Sequence, residues 1–199
     1  MKRVEILKVW LKRYAAGLSH AAIGHNADGN KSDEHDAVLR MLKLLQQGEE
    51  AFSRQTLSPG HFTNSAFVVY EKKLLLIHHQ KLKMWLQPGG HVEHDDQDLL
   101  AGAKREVGEE TLLPLVDLEL VGEHDNPIFD VDIHEIPANN MEDAHFHFDV
   151  RFLLRATEIS KAGVGDGVKD LAFVDFRDAK NYHSDASVMR AVAKLDANT

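Results

Sequence analysis

GGHVEHDDQDLLAGAKREVGEETLL, residues 89–113, is the most informative stretch of this sequence. Leu99, Ala103 and Val107 recur every four residues, which predicts a helix over residues 98–111 with one apolar face. Pro114 makes continuation of that helix improbable, because the residue before a proline is disfavoured in helical conformation. The glycine pair at the start predicts a sharp turn. The stretch is therefore a strand-ending turn followed by an amphipathic helix.

Three carboxylates share one side of the predicted helix. Glu106 and Glu110 are four residues apart, and Glu109 lies three residues after Glu106. A helix that keeps three neighbouring carboxylates either points them into water or uses them to hold a hard divalent cation through oxygen ligands. Composition alone favours the solvated face. The glycine turn upstream favours the metal-binding alternative, since it allows a backbone oxygen to lie beside the carboxylates and join them as a ligand.

This stretch resembles the Nudix box, a loop–helix motif written G-x5-E-x7-R-E-U-x-E-E-x-G-U, where U is aliphatic. The matching residues are Gly90, Arg105, Glu106, Val107, Glu109, Glu110 and Leu113. Three departures accompany the match. The spacing from Gly90 to Arg105 is one residue longer than in the motif, the first acidic position falls on Asp96 or on Gln97 depending on the direction of counting, and Leu112 replaces the late glycine.

The resemblance covers roughly residues 60–195 and implies an α/β fold, a Nudix-type α/β/α sandwich with a mixed sheet. It implies hydrolysis of a diphosphate linkage in a nucleoside diphosphate derivative of the ADP-ribose, dinucleotide or nucleotide-sugar type, with Mg²⁺ or Mn²⁺ as cofactor. Glu106 and Glu110 would then be metal ligands, together with the carbonyl of Gly89. Glu109 would be a further ligand or orient water, and Arg105 would hold the glutamates by a salt bridge.

The general base has no fixed position in this motif. Glu142, in the acidic loop 139–143 just before a predicted strand, is our candidate, although a merely solvated Glu142 is the alternative. His91 and Glu93, in the glycine turn, are further candidates because they lie close in sequence to the acidic helix.

Two segments alternate polar and apolar residues, DVDIH (130–134) and HFHFD (145–149). As strands they place His134 on one face with two aspartates, and His145 and His147 on one face with Asp149. If the strands are neighbours, these side chains form a polar wall. Three interpretations stay open: a solvated or structural face, contact with substrate or acid–base work, or a second metal site, since imidazole and carboxylate suit Zn or Mn.

The chain is predicted to comprise a helical N-terminal extension, residues 1–57, and a Nudix hydrolase domain, residues 58–199. The extension has helical apolar spacing near its start and a predicted loop over residues 17–30. In the domain, strands are predicted at 65–70, 73–78, 118–122, 129–134, 145–154 and 171–175, followed by a helix at 186–195. We expect the N-terminal helices to pack on the domain or on a second subunit of a homodimer.

Composition limits the classes of partner. The 199 residues carry 23 Lys plus Arg against 32 Asp plus Glu, a formal net charge of −9, which argues against a nucleic-acid binder. Hydrophobic residues make up 43%, enough for a sizeable core. No apolar run is long enough to span a membrane, and Lys8 and Lys12 interrupt any signal-peptide core, so a cytoplasmic location is expected. The expected partner is a small nucleoside diphosphate-type molecule.

A competing hypothesis is a catalytically silent Nudix-type nucleotide sensor or interaction module, favoured by the imperfect motif. Isomerisation of isopentenyl diphosphate is disfavoured, because that branch of the family relies on a catalytic cysteine and this chain has none. The same absence excludes disulfides and thiolate catalysis.

Overall fold

The structure is a computed structural model that describes residues 2–21, 30–182 and 186–197. Its helices are α1 (Arg3–Ala21), α2 (Asn30–Leu44), α3 (Leu99–Thr111) and α4 (Ala186–Ala197), with 3-10 turns at Leu45–Phe52, Leu115–Asp117 and Phe176–Asn181. Its strands are β1 (Gly60–Tyr70), β2 (Lys73–His79), β3 (Trp85–Leu86), β4 (Gly89–His91), β5 (Leu118–Leu120), β6 (Ile128–Ile136), β7 (His145–Ala156) and β8 (Val168–Asp175). All predicted strands and both predicted helices of the domain are present.

The eight strands form one sheet with the order β3-β2-β1-β7-β5. Strand β4 pairs with β1, β6 with β7, and β8 with β2. This is a mixed sheet with flanking helices, preceded by N-terminal helices, so the predicted α/β class is confirmed. The predicted loop over residues 17–30 is wrong at its edges, because α1 continues to Ala21 and α2 begins at Asn30; the rest of that loop, residues 22–29, lies outside the described residues.

The chain divides into two compact units. Unit one comprises Met1–Asn64, His91–Gly102 and Gly122–Arg151, and unit two comprises Ser65–Gly90, Ala103–Val121 and Phe152–Thr199. The boundary at residues 57 and 58 between an extension and a domain stays a prediction. Among the described residues, no helix combines the length and the apolar character that crossing a membrane requires.

Unit one is built where α1 and α2 pack together and against β6. Leu7 and Leu11 of α1 and Met41 of α2 are fully buried there, as their helical spacing predicts. The rings of Phe52 and Phe62 contact each other with centroids 5.4 Å apart. The N-terminal helices therefore contribute core side chains within this unit.

Unit two is organised around β2, which pairs antiparallel with β1, β3 and β8. Its consecutive residues 74–77 are all buried, which is expected for a strand covered on both faces rather than one with a solvated face. Ala103 and Val107 of α3 are also fully buried. The apolar stripe read from the sequence is thus the side of α3 that packs inward, and it leaves the glutamate-bearing side for the site.

Candidate active site on helix α3

Helix α3 begins and ends at defined caps. The Asp98 carboxylate accepts a hydrogen bond from the Ala101 amide at 2.9 Å, the usual arrangement of an N-cap. At the other end, the amides of Gly163, Gly165 and Asp166 donate to the carbonyls of Thr111, Glu110 and Glu109 at 2.9, 3.0 and 3.0 Å. These bonds satisfy carbonyls that a helix end leaves without intrahelical partners. The segment carrying the glutamates is therefore held at both ends.

Leu112, which stands where the Nudix motif has a glycine, adopts a backbone conformation that favours glycine. Its φ is +56°, in the left-handed region, and its amide donates to the Gly108 carbonyl at 3.0 Å. This is the turn by which a glycine commonly ends a helix. The residue at this position therefore departs from the motif, while the backbone after Glu110 makes a turn of the kind that glycine favours.

Arg105 holds two of the three glutamates. Its Nη1 lies 2.9 Å from Glu106 Oε1 and 2.9 Å from Glu109 Oε2. Glu109 is half exposed, whereas the Glu106 side chain is mostly covered. One guanidinium thus contacts two carboxylates and restricts their directions.

Glu110 is the buried member of the set, with only 8% of its surface exposed. Burial raises the pKa of its carboxyl to about 8, and the charges of Glu106 and Glu109 add to the rise. The Gly89 amide opposes the shift by donating to Glu110 Oε2 at 2.9 Å. The Gly89 N–H group thus contacts Glu110, a role that sequence reasoning did not assign, and the metal-ligand role of the Gly89 carbonyl stays a prediction.

Gly90 lies close to the Glu106 carboxylate. A Cβ built on Gly90 would lie 2.6 Å from Glu106 Oε1, well inside contact distance. A side chain here would push the carboxylate out of its place. The second glycine of the turn therefore leaves room for the acidic helix.

The first acidic position of the Nudix motif falls on Asp96 or on Gln97, and the two side chains lie in different surroundings. Asp96 Oδ2 accepts the Glu93 amide at 2.8 Å, and a Cβ on Gly102 would lie 2.7 Å from the same oxygen. Asp96 is therefore half-buried against the first turn of α3, while Gln97 is exposed. The Glu93 carbonyl accepts a hydrogen bond from Arg3 Nη1 at 2.9 Å, while the Glu93 side chain is exposed.

The predicted polar wall exists, because β6 and β7 are paired. It gathers more histidines than predicted, since His61 of β1 and His91 of β4 also join it. Ring contacts, with centroids 4.9–5.4 Å apart, connect five histidines, of which His134 is joined through His147: His61, His91, His134, His145 and His147. We call these five residues the histidine cluster. All of them belong to unit one.

Burial keeps most of the cluster neutral. It lowers the pKa of His147 to about 2 and that of His91 to about 4, with neighbouring histidines adding to both shifts. Burial also lowers the pKa of His61. For His134 burial acts in the same direction, but a hydrogen bond to Asp132 and the charges of Asp149 and Asp132 outweigh it and raise the pKa.

A buried charge network lies on the same two strands. Arg151, 2% exposed, contacts Asp149 at 2.9 Å and Asp130 and Asp132 at 3.2 Å each. Sequence reasoning assigned no role to Arg151. The sequence could have predicted the contact of Arg151 with Asp149, because residues two apart in a strand lie on the same face.

Glu142 lies in the loop before β7, where its Oε1 is 3.6 Å from Arg54 Nη2. Asn139 Oδ1 accepts the amides of Met141 and Glu142 at 2.8 and 3.2 Å, which orders the turn. The Glu142 charge acts on His61 and His91, whose pKa values it raises against the effect of burial. Its assignment as general base stays a prediction.

Comparison with known proteins identifies the fold. A family model described as the NUDIX domain matches residues 61–193. A solved structure of a hydrolase of the NUDIX family from Clostridium perfringens is 26% identical, with a TM-score of 0.52, covering 70% of this chain and 98% of that one. A C. elegans Ap4A hydrolase in a binary complex is 15% identical, with a TM-score of 0.56, covering 69% and 96%.

The E. coli dihydroneopterin triphosphate pyrophosphohydrolase is likewise similar in fold, at 17% identity and a TM-score of 0.54, covering 69% of this chain and 96% of that one. No curated protein matches the sequence.

Proposed function

The chain belongs to the Nudix family of pyrophosphohydrolases, and from that premise we propose that it hydrolyses the diphosphate linkage of a nucleoside diphosphate derivative with Mg²⁺ as cofactor. The observation that carries the proposal is the convergence of Glu106, Glu109 and Glu110 beside the Gly89–Gly90 turn, arranged by Arg105 and the Gly89 amide.

The donor set fits a hard divalent cation. Three carboxylates within five residues supply only oxygen atoms, which are the ligands that Mg²⁺ prefers. The pKa of Glu110 is raised to about 8 by burial and by its negative neighbours. A bound dication relieves that repulsion, so the crowding of charge supports the assignment. Mn²⁺ satisfies the same oxygen donors.

Glu106 and Glu110 would hold the ion, joined by the carbonyl of Gly89. When bound, the ion would neutralise the non-bridging oxygens of the diphosphate and lower the pKa of the attacking water. Arg105 keeps Glu106 and Glu109 oriented through its two 2.9 Å contacts. Glu109, half exposed, is placed to act as a further ligand or to orient water.

Removal of a proton from the attacking water needs a base. We assign this role to Glu142, with His91 and Glu93 as the other candidates. The Glu142 side chain is 37% exposed and so is open to solvent, while its backbone turn is held by Asn139. If Glu142 is the base, Glu142→Gln should lower kcat and remove the acidic limb of its pH profile. A pH profile unchanged in shape would transfer the role to His91 or Glu93.

The substrate class rests on the chemistry of the family rather than on pocket contacts. We propose ADP-ribose, a dinucleotide or a nucleotide sugar, since each contains a diphosphate bridging two groups. A small molecule of this kind also suits the net charge of −9, because bound cations screen the acidic surface from the substrate's phosphates.

The test is hydrolysis of a panel of these compounds, in which the phosphomonoesters released by cleavage are detected after phosphatase treatment, and of nucleoside triphosphates, in which released diphosphate is detected after treatment with inorganic pyrophosphatase. Each reaction is run with Mg²⁺, with Mn²⁺ and with chelator. Glu110→Gln should lower turnover about 100-fold or more, whereas Glu119→Gln, a change at an exposed carboxylate on β5, should leave it unchanged. A folded protein inert on the whole panel would instead support the nucleotide sensor.

A further inference from the structure

Three members of the histidine cluster bring ring nitrogens together. One ligand atom from each of His61, His145 and His147 lies within 4.8 Å of those of the other two. His61 and His145 are almost completely buried, and His147 is half-buried. Buried polar side-chain atoms generally have a hydrogen-bonding partner, so the nitrogens of these covered rings need partners.

Two of these rings are oriented by the backbone. His61 Nδ1 lies 3.1 Å from the Thr56 carbonyl, and His145 Nδ1 lies 2.8 Å from the Asp143 carbonyl. Because a carbonyl can only accept, each Nδ1 carries the hydrogen and each Nε2 presents a lone pair. Histidines that bind metals are commonly held in this way, with the second ring nitrogen donating to a carbonyl or carboxylate.

One of these nitrogens lacks a partner. His61 is 1% exposed, and its Nε2 has no hydrogen-bond partner although it is buried. An orphaned acceptor costs free energy unless something occupies it. The atom that is missing a partner is the one left for coordination by the hydrogen bond of Nδ1 to Thr56.

We propose that His61, His145 and His147 bind one transition-metal ion of the Zn²⁺ class. Neutral imidazole nitrogens suit such ions and suit Mg²⁺ poorly. Tetrahedral coordination at 2.0–2.1 Å would place ligand nitrogens about 3.3 Å apart, so a shift of about 1 Å brings the three into place. Three protein ligands leave a fourth position for water or an anion.

A charge network with an excess of carboxylates adjoins the cluster. Asp130, Asp132 and Asp149 converge on the single guanidinium of Arg151, so these four side chains carry three formal negative charges and one positive charge. His134 connects this network to the cluster, since its Nδ1 lies 3.0 Å from Asp132 Oδ2 and its ring lies 5.4 Å from that of His147. A dication among the histidines offsets the excess negative charge.

The site differs in chemistry from the carboxylates of α3, and the proposal does not depend on the proposed hydrolysis. The test is titration of the full-length protein with Zn²⁺ alone, in competition with a chromogenic chelator. Glu110→Gln removes the buried carboxylate from the other candidate site and should still bind one Zn²⁺ per chain with unchanged affinity.

His147→Asn removes one of the three proposed ligands and should weaken Zn²⁺ binding about 100-fold or more. The matched control is His94→Asn, since the His94 side chain is 97% exposed and lies outside the cluster; its affinity should equal that of the unmodified protein. Equal affinity in His147→Asn and His94→Asn would overturn the proposal. So would loss of Zn²⁺ binding in Glu110→Gln alone.

Because His147→Asn can also disturb folding, a measurement on the unmodified protein accompanies it. With ¹⁵N-labelled histidine, one equivalent of Zn²⁺ should shift the ring nitrogens of three histidines together, with Nδ1 of His61 and His145 still protonated. Shifts confined to exposed histidines such as His94, or no saturable shifts, would refute the site.

Discussion

Replacement of Glu110 by glutamine should remove activity while making the metal-free protein more stable. The Glu110 carboxyl is buried, and its pKa is raised from 4.5 to about 8 mainly by that burial. Below pH 4.5 the group is neutral in both the folded and the unfolded chain. Between pH 4.5 and 8 the unfolded chain releases the proton and the folded protein keeps it, so the free energy of unfolding falls as the pH rises.

The size of the effect follows from the two pKa values. At pH 7, about 2.5 units above its pKa of 4.5, the carboxyl of the unfolded chain is ionised, while that of the folded protein stays mostly protonated. The difference lowers the free energy of unfolding by about 3 kcal/mol relative to its value at low pH. Glutamine has nearly the same shape as the protonated acid, and its amide oxygen can still accept the Gly89 amide that now lies 2.9 Å from Glu110 Oε2. The variant therefore avoids the cost of ionisation and keeps the hydrogen bond.

The assay is urea unfolding with chelator at several pH values between 4 and 9. Glu110→Gln should match the unmodified protein near pH 4 and gain stability progressively up to pH 8. Glu119→Gln, at an exposed position, should show no such trend. Addition of Mg²⁺ should stabilise the unmodified protein and not Glu110→Gln, because a ligand stabilises only the folded state that binds it.

Turnover should fall roughly 100-fold or more in the same variant, because a catalytic metal lowers the activation barrier by several kcal/mol and the variant loses one of its ligands. A stability difference between Glu110→Gln and the unmodified protein that does not vary with pH would refute the electrostatic reasoning. Full activity in a stabilised variant would refute the ligand assignment separately.

Three further predictions concern helix α3, the turn that ends it and the glycine turn beside it. Gly90→Ala places a Cβ 2.6 Å from Glu106 Oε1, so kcat/KM should fall about 100-fold with little change in unfolding midpoint; normal kinetics would contradict the need for a glycine. Leu112→Gly should be about 1 kcal/mol more stable than Leu112→Ala in urea unfolding, because φ is +56° and only glycine adopts it without strain; equal stability would count against that. Arg105→Met, which frees Glu106 and Glu109, should raise the Mg²⁺ concentration needed for half-maximal activity about tenfold, and an unaltered requirement would show that the salt bridges do not position them.

The sequence alone determined the helix α3 and the set of carboxylates on it. Helical periodicity is local, so Leu99, Ala103 and Val107 predict the buried side, and Glu106 and Glu110 necessarily share another side. Alternation in 130–134 and 145–149 predicted the polar faces of β6 and β7 for the same reason. The family and its fold followed from these local patterns and from the motif.

Only the tertiary structure decided which distant side chains meet. His61 enters the cluster because β1 lies in the same sheet as β7, and no local periodicity relates the two segments. The three partners of Arg151 come from two strands and are brought together only when those strands pair. Likewise, the left-handed turn at Leu112 accompanies hydrogen bonds from the distant loop 163–166 to the end of α3. Local spacing predicts which face a residue occupies, whereas long-range pairing determines what that face contacts.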